Sequence, residues 1–87
     1  FIINRIILIG DFNELFDNRD EYSFNINVNN VNYLLKTDSN KIKSCCYPNI
    51  HKPGDYIFDS KIEPKLKIVS TIHPASDHYP IETILLE

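Results

Sequence analysis

The sequence predicts a strand-dominated sheet fold whose apolar faces need a second layer to cover them, and three observations predict it. The run Ile6-Ile7-Leu8-Ile9 is four large apolar residues, too few for a helix and suited to a strand buried on both faces. Residues 22–28 alternate, with Tyr22, Phe24, Ile26 and Val28 separated by Ser23, Asn25 and Asn27, the period of a half-buried strand. The only two glycines, Gly10 and Gly54, each precede an aspartate beside a strand-type run, so polar chemistry collects at strand ends. A sheet with apolar faces must pack against another sheet or helices.

Taken in order, the first strand occupies residues 6–13. Side chains alternate along it, so Asp11 and Asn13 share one side while Phe12 turns to the core. Gly10 would let backbone or ligand approach closely, although Gly-Asp at a strand end also suits an Asx-type turn. Residues 14–21 are polar apart from Leu15 and Phe16 and read as a loop with at most one helical turn. After the alternating strand, residues 28–35 fit a strand or a short helix equally well, because Val28, Val31, Leu34 and Leu35 satisfy both periods. Turn chemistry fills 37–41, a short strand is expected at 42–47 before Pro48, and Gly54 turns the chain into another strand through Tyr56, Ile57 and Phe58. The β-branched segment 66–72 and the alternating Ile81, Thr83 and Leu85 complete the strands, with a loop at 74–78 between them.

Eighty-seven residues allow one small domain. The chain opens at Phe1 directly into a buried-type strand, so it is expected to be a piece of a longer protein. No stretch reaches the roughly 18 apolar residues of a membrane span, and no span is expected. The net charge of -3 does not mark a bulk-electrostatic nucleic-acid binder. Asp11, Glu14, Asp17, Asp20 and Glu21 make the early part acidic. All seven lysines fall between Lys36 and Lys67 against four acids, 7 - 4 = +3, which reads as a phosphate-facing rim or as a solvated face. Cys45 and Cys46 are adjacent and would point to opposite faces of a strand. Free thiols in a reducing, intracellular compartment are the simpler expectation. Joined with His51 they lack a fourth ligand for a metal site. His51 and His73 sit beside prolines and read as loop histidines.

Three motifs stand in order: Gly10-Asp11-Phe12-Asn13, Gly54-Asp55-Tyr56-Ile57-Phe58 and Ser76-Asp77-His78-Tyr79-Pro80-Ile81. Together they resemble the C-terminal half of the endonuclease/exonuclease/phosphatase superfamily, over almost the whole chain. The resemblance implies an α/β fold of deoxyribonuclease-I-like type. That fold is a two-sheet β-sandwich flanked by helices, of which residues 1–87 would be the strand-dominated C-terminal portion of one domain without its N-terminal half.

The resemblance also implies roles. Asp11 would orient or deprotonate the attacking water, and Asn13 would donate an amide hydrogen bond to the phosphate. Asp77 would be a ligand of Mg²⁺, with Mn²⁺ as a substitute, since hard oxygen donors suit such cations. His78 would contact the scissile phosphate, with Asp55 as the carboxylate that orients its ring and raises its pKa. The family's metal-binding glutamate, an early asparagine and a second histidine belong to the half with no match here. The implied activity is metal-dependent hydrolysis of a phosphodiester. Nucleic acid is the favoured substrate, because Gly-Asp-Tyr stands where inositol phosphatases usually carry Cys-Asp-Arg. A sphingomyelinase-like or inositol-phosphate activity, and a non-catalytic scaffold of the same fold, are the alternatives.

Overall fold

The computed structural model describes residues 3–12, 22–46, 48–69 and 76–85. Among these, the chain forms β1 (Ile7–Asp11), β2 (Ser23–Val28), β3 (Val31–Lys36), β4 (Asp55–Asp59), β5 (Lys67–Ile68) and β6 (Ile81–Glu82), and no helix. β1 and β4 pair antiparallel from Ile7 opposite Asp59 to Asp11 opposite Asp55. β2 and β3 form a hairpin, and β3 meets β4 at Lys36 opposite Asp59, giving a four-stranded sheet in the order β1-β4-β3-β2. β5 and β6 make a separate two-stranded antiparallel sheet. The strand-dominated expectation holds. The loop expected at 14–21 lies outside the described residues.

The hairpin settles the ambiguity at 28–35 in favour of strand. Asn29 and Asn30 take φ of 53° and 63°, and two consecutive positive-φ residues are what a two-residue type I′ turn requires. Asparagine tolerates that left-handed conformation better than most residues. The alternation through Phe24 and Ile26 continues across the turn, so Leu35 faces Phe24 in register.

Strand alternation puts Tyr56 and Phe58 on one face of β4, and they form the core with Leu35. Phe12, Phe24, Ile6 and Ile26 pack around these three. Phe58 meets Phe24 and Phe12 edge-on, at centroid distances of 4.9 and 5.3 Å, the arrangement that aromatic quadrupoles favour. Each such buried side chain contributes on the order of 1.5–3 kcal/mol, so β4 is the strand that the sheet is assembled on. Phe12 turns inward, as alternation from Asp11 requires.

The expectation that β1 is buried on both faces is corrected. Ile9 is 68% exposed and Leu8 is 38% exposed, because among the described residues nothing packs fully over these side chains at the edge of the sheet. The strand expected at 42–47 is likewise not formed over 42–46, and residue 47 lies outside the described residues. Cys45 makes isolated bridges, to Lys52 and to His78. Cys45 and Cys46 are joined by a disulfide across a cis peptide, so they are not the free thiols expected of a regular strand. The ladder at 66–72 is reduced to β5, with 70–72 outside the described residues, and at the last strand only Ile81 and Glu82 are paired.

Two polar anchors hold this sheet. Asp38 accepts from the Asn40 amide at 2.9 Å in the expected turn, and its other oxygen accepts from the Leu66 amide at 2.9 Å, tying distant segments together. At the far end of the β1–β4 ladder the Arg5 guanidinium grips buried Asp59, with Nε donating at 3.0 and 3.2 Å and Nη2 donating to Oδ2. Arg5 holds the Asp59 carboxyl below its ordinary pKa. The Ile6 amide donates to Ser60 Oγ at 2.8 Å and the Ser60 amide donates to the Ile6 carbonyl at 3.0 Å, which pins the register.

The two glycines play different parts here. Gly54 takes φ of 85° and its carbonyl accepts from the Phe12 amide at 2.7 Å, whereas a Cβ on Gly10 would meet nothing within 4 Å. Gly54→Ala is therefore expected to destabilise by roughly 1–2 kcal/mol, and Gly10→Ala to be neutral or stabilising by up to about 1 kcal/mol. Urea unfolding of the two variants checks this. Equal losses would mean that both glycines serve backbone conformation.

Candidate active site

The β1–β4 register places Asp11 directly opposite Asp55. Like charges across a ladder repel, so a cation between the two carboxylates relieves an unfavourable pair. His78 occupies that place, and the two carboxylates favour its charged form. It arrives from outside the sheet through the isolated bridge between Cys45 and His78 and the Tyr79 amide donating to the Ser44 carbonyl at 2.8 Å. Its own amide donates to Ser76 Oγ at 3.0 Å, closing a tight local turn.

His78 Nδ1 lies 2.6 Å from Asp55 Oδ2. A carboxylate has no proton to give, so Nδ1 carries the hydrogen and donates it. The other ring nitrogen, Nε2, lies 3.8 Å from Asp11 Oδ2 and 3.7 Å from Asp77 Oδ1, within ion-pair range but beyond a hydrogen bond. The Asp55 hydrogen bond raises the His78 pKa above its ordinary 6.5, burial opposes this, and the charges of Asp55, Asp11 and Asp77 add to the rise. Exposure grades across the cluster. The side chains of Asp55 and His78 are 17% and 26% exposed, those of Asp11 and Asp77 45% and 66%. The Asp55 bond is thus sheltered while the Nε2 side opens towards solvent.

Of the residues singled out from the sequence, Asp11, Asp55, Asp77 and His78 come together. Asn13 lies outside the described residues, as does His73. His51 is an exposed loop residue with Nδ1 2.7 Å from the Asn49 carbonyl. Sequence reasoning missed Ser44. Its side chain is fully buried, with Oγ 2.6 Å from Asp55 Oδ2 and 2.9 Å from the Pro53 carbonyl. Nothing in Lys43-Ser44-Cys45-Cys46 signals this, because the contact depends on the bridges that fold the segment back onto β4.

Two groups of side chains could approach one metal ion: Asp11, Asp55 and His78, and Cys45, Asp77 and His78, each with ligand atoms within 4.8 Å of one another. Cys45 Sγ is held in the disulfide and Asp55 is bonded to His78 and Ser44, while the carboxylates of Asp11 and Asp77, one in each group, are the more exposed oxygen donors. Oxygen donors of this kind fit a hard divalent cation with water completing its shell. Beside His78 a cleft of about 260 Å³ runs over Gly10, walled by Ile9, Tyr79, Pro80 and Ile81. No helix among the described residues is long and apolar enough to cross a membrane.

In comparisons with protein-family models, curated proteins and solved structures, the chain matches none.

Because the folded His78 pKa is raised, the imidazolium's contribution to stability is fully present below about pH 6.5 and is lost as pH rises through the folded value. Urea unfolding in metal-free buffer from about pH 6 to about pH 9 is therefore expected to show wild type losing its advantage over His78→Gln as pH rises. A gap that widens with pH would show that the ring is held neutral.

Proposed function

We propose that this chain carries part of the active site of a metal-dependent phosphodiesterase, nuclease-like in the complete protein, within a two-sheet sandwich of the deoxyribonuclease-I type. The carrying observation is the 2.6 Å bond from His78 Nδ1 to sheltered Asp55, with Nε2 turned towards the exposed Asp11 and Asp77. The order of the three motifs supports the same reading. The exposed Ile9, Val31 and Leu34 are apolar surface that a second layer would cover.

In this reading the charged His78 ring donates from Nε2 to a non-bridging phosphate oxygen, and Asp55 fixes the ring's orientation and charge. Asp11 accepts a proton from the attacking water as the water oxygen bonds to phosphorus in line with the leaving P–O bond; that bond breaks with its electron pair going to the leaving oxygen, which takes a proton from solvent to become the alcohol. Asn13 supplies an amide to the phosphate as negative charge builds on it. Asp77 would hold Mg²⁺ or Mn²⁺, which when bound supplies positive charge to the phosphate and leaving oxygen. The cleft beside His78 has apolar walls and, among the described residues, no lysine or arginine. The preference for nucleic acid over an inositol phosphate rests on Gly54-Asp55-Tyr56 standing where inositol phosphatases usually carry Cys-Asp-Arg.

The full-length protein is expected to hydrolyse an oligonucleotide with Mg²⁺ and to stop in excess chelator. His78→Ala and Asp55→Asn should each lower kcat about a hundredfold or more, and the double variant should be little worse than either, since groups acting as one unit lose their effect together. Activity unchanged in chelator would overturn the metal's role. Strictly multiplicative losses would overturn the pairing.

A further inference from the structure

We propose that Ser44 is a positioning residue of this site, a third member of a Ser44–Asp55–His78 chain that acts on the reaction through Asp55. The inference rests on the phosphodiesterase reading for its consequence in turnover, but its geometry stands independently. Ser44 Oγ carries one proton and has two acceptors within reach, Asp55 Oδ2 at 2.6 Å and the Pro53 carbonyl at 2.9 Å. A charge-assisted bond to a carboxylate is shorter and roughly twice as strong as one to a neutral carbonyl, so the proton goes to Asp55. The oxygen it reaches is Oδ2, the one that accepts from His78 Nδ1.

The main chain of the same residue holds the other partner. The Ser44 carbonyl accepts from the Tyr79 amide at 2.8 Å, beside His78, while Cys45 bridges His78 directly. Ser44 thus sets the Asp55 carboxylate with its side chain and the His78 segment with its backbone. It is wholly excluded from solvent, so water does not replace the hydroxyl when it is removed. With that donor gone, the carboxylate keeps only the His78 bond at this oxygen, so the pair loses the anchor that fixes its orientation relative to β4. A small misplacement of a reacting group costs rate without costing binding.

The test is a cycle on the full-length protein with Mg²⁺ and an oligonucleotide. Ser44→Ala is expected to lower kcat about tenfold with KM unchanged, and to cause no further loss when added to Asp55→Asn. Ser44→Cys, nearly isosteric and a much weaker donor, should behave like Ser44→Ala and serves if the alanine variant does not fold. A folded variant with wild-type kcat, or one whose loss persists in full in the Asp55→Asn background, would overturn the proposal and leave Ser44 a structural knot. NMR of the His78 Nδ1 proton separates this from failure of the phosphodiesterase reading. If wild type hydrolyses no phosphodiester, that resonance should still shift in Ser44→Ala or Ser44→Cys, and an unchanged resonance would overturn the chain.

Discussion

The register of the β1–β4 ladder is the constraint from which the rest of the structure follows. Five residue pairs run between an ion pair at one end, Arg5 with Asp59, and two opposed carboxylates at the other, Asp11 with Asp55. A slip of one residue would turn Tyr56 and Phe58 out of the core and carry Asp55 to the opposite face, because side chains alternate with period two. Packing and chemistry are therefore set by the same variable. The Arg5 grip and the Ser60 bonds are at the end remote from the candidate site, yet they fix which residues meet there.

Opposed carboxylates weaken a ladder, and the cost is met locally. His78 supplies a cation whose charge is favoured by the very groups that repel one another. Asp55 is sheltered and tied down by two short bonds, whereas Asp11 is the more exposed of the pair and lies 3.8 Å from the ring. The asymmetry matters chemically. A sheltered, doubly bonded carboxylate is suited to hold a neighbour in place, and an exposed one is suited to meet water or a cation.

What could be read from the sequence was mostly local. Phe12 inward with Asp11 outward follows from alternation alone, and the strands at 22–28 and 55–59 from apolar spacing. The hairpin at Asn29-Asn30 carried a readable signal in its turn residues, which periodicity at 28–35 obscured because valine and leucine satisfied both templates. Whether β1 was an edge or an interior strand was not readable, since four apolar residues look the same in either place and only the sheet order decides. The meeting of Asp55 with His78 was anticipated from motif order, not from geometry. Ser44 lay beyond either route, because its neighbours were brought to it by an irregular segment bridged to Lys52 and His78.

The charge of the assembled site bears on how it meets an anion. Asp11, Asp55 and Asp77 with a protonated His78 give a formal -3 + 1 = -2, the charges of the side chains clustered around the ring. A phosphodiester approaching that cluster meets one favourable donor, Nε2, inside a field of the wrong sign. At separations near 4 Å a pair of unit charges interacts by about 4 kcal/mol even at an effective dielectric of 20, so the carboxylates cannot be neglected. A divalent cation held at Asp77 would return the cluster to formal neutrality, -2 + 2 = 0, and offset the field that opposes the His78 donor. The acidic open side and the cationic ring behind it are thus complementary parts of one reading. In the proposed reading the carboxylates would hold the cation, and the imidazolium would be left to donate to the phosphate.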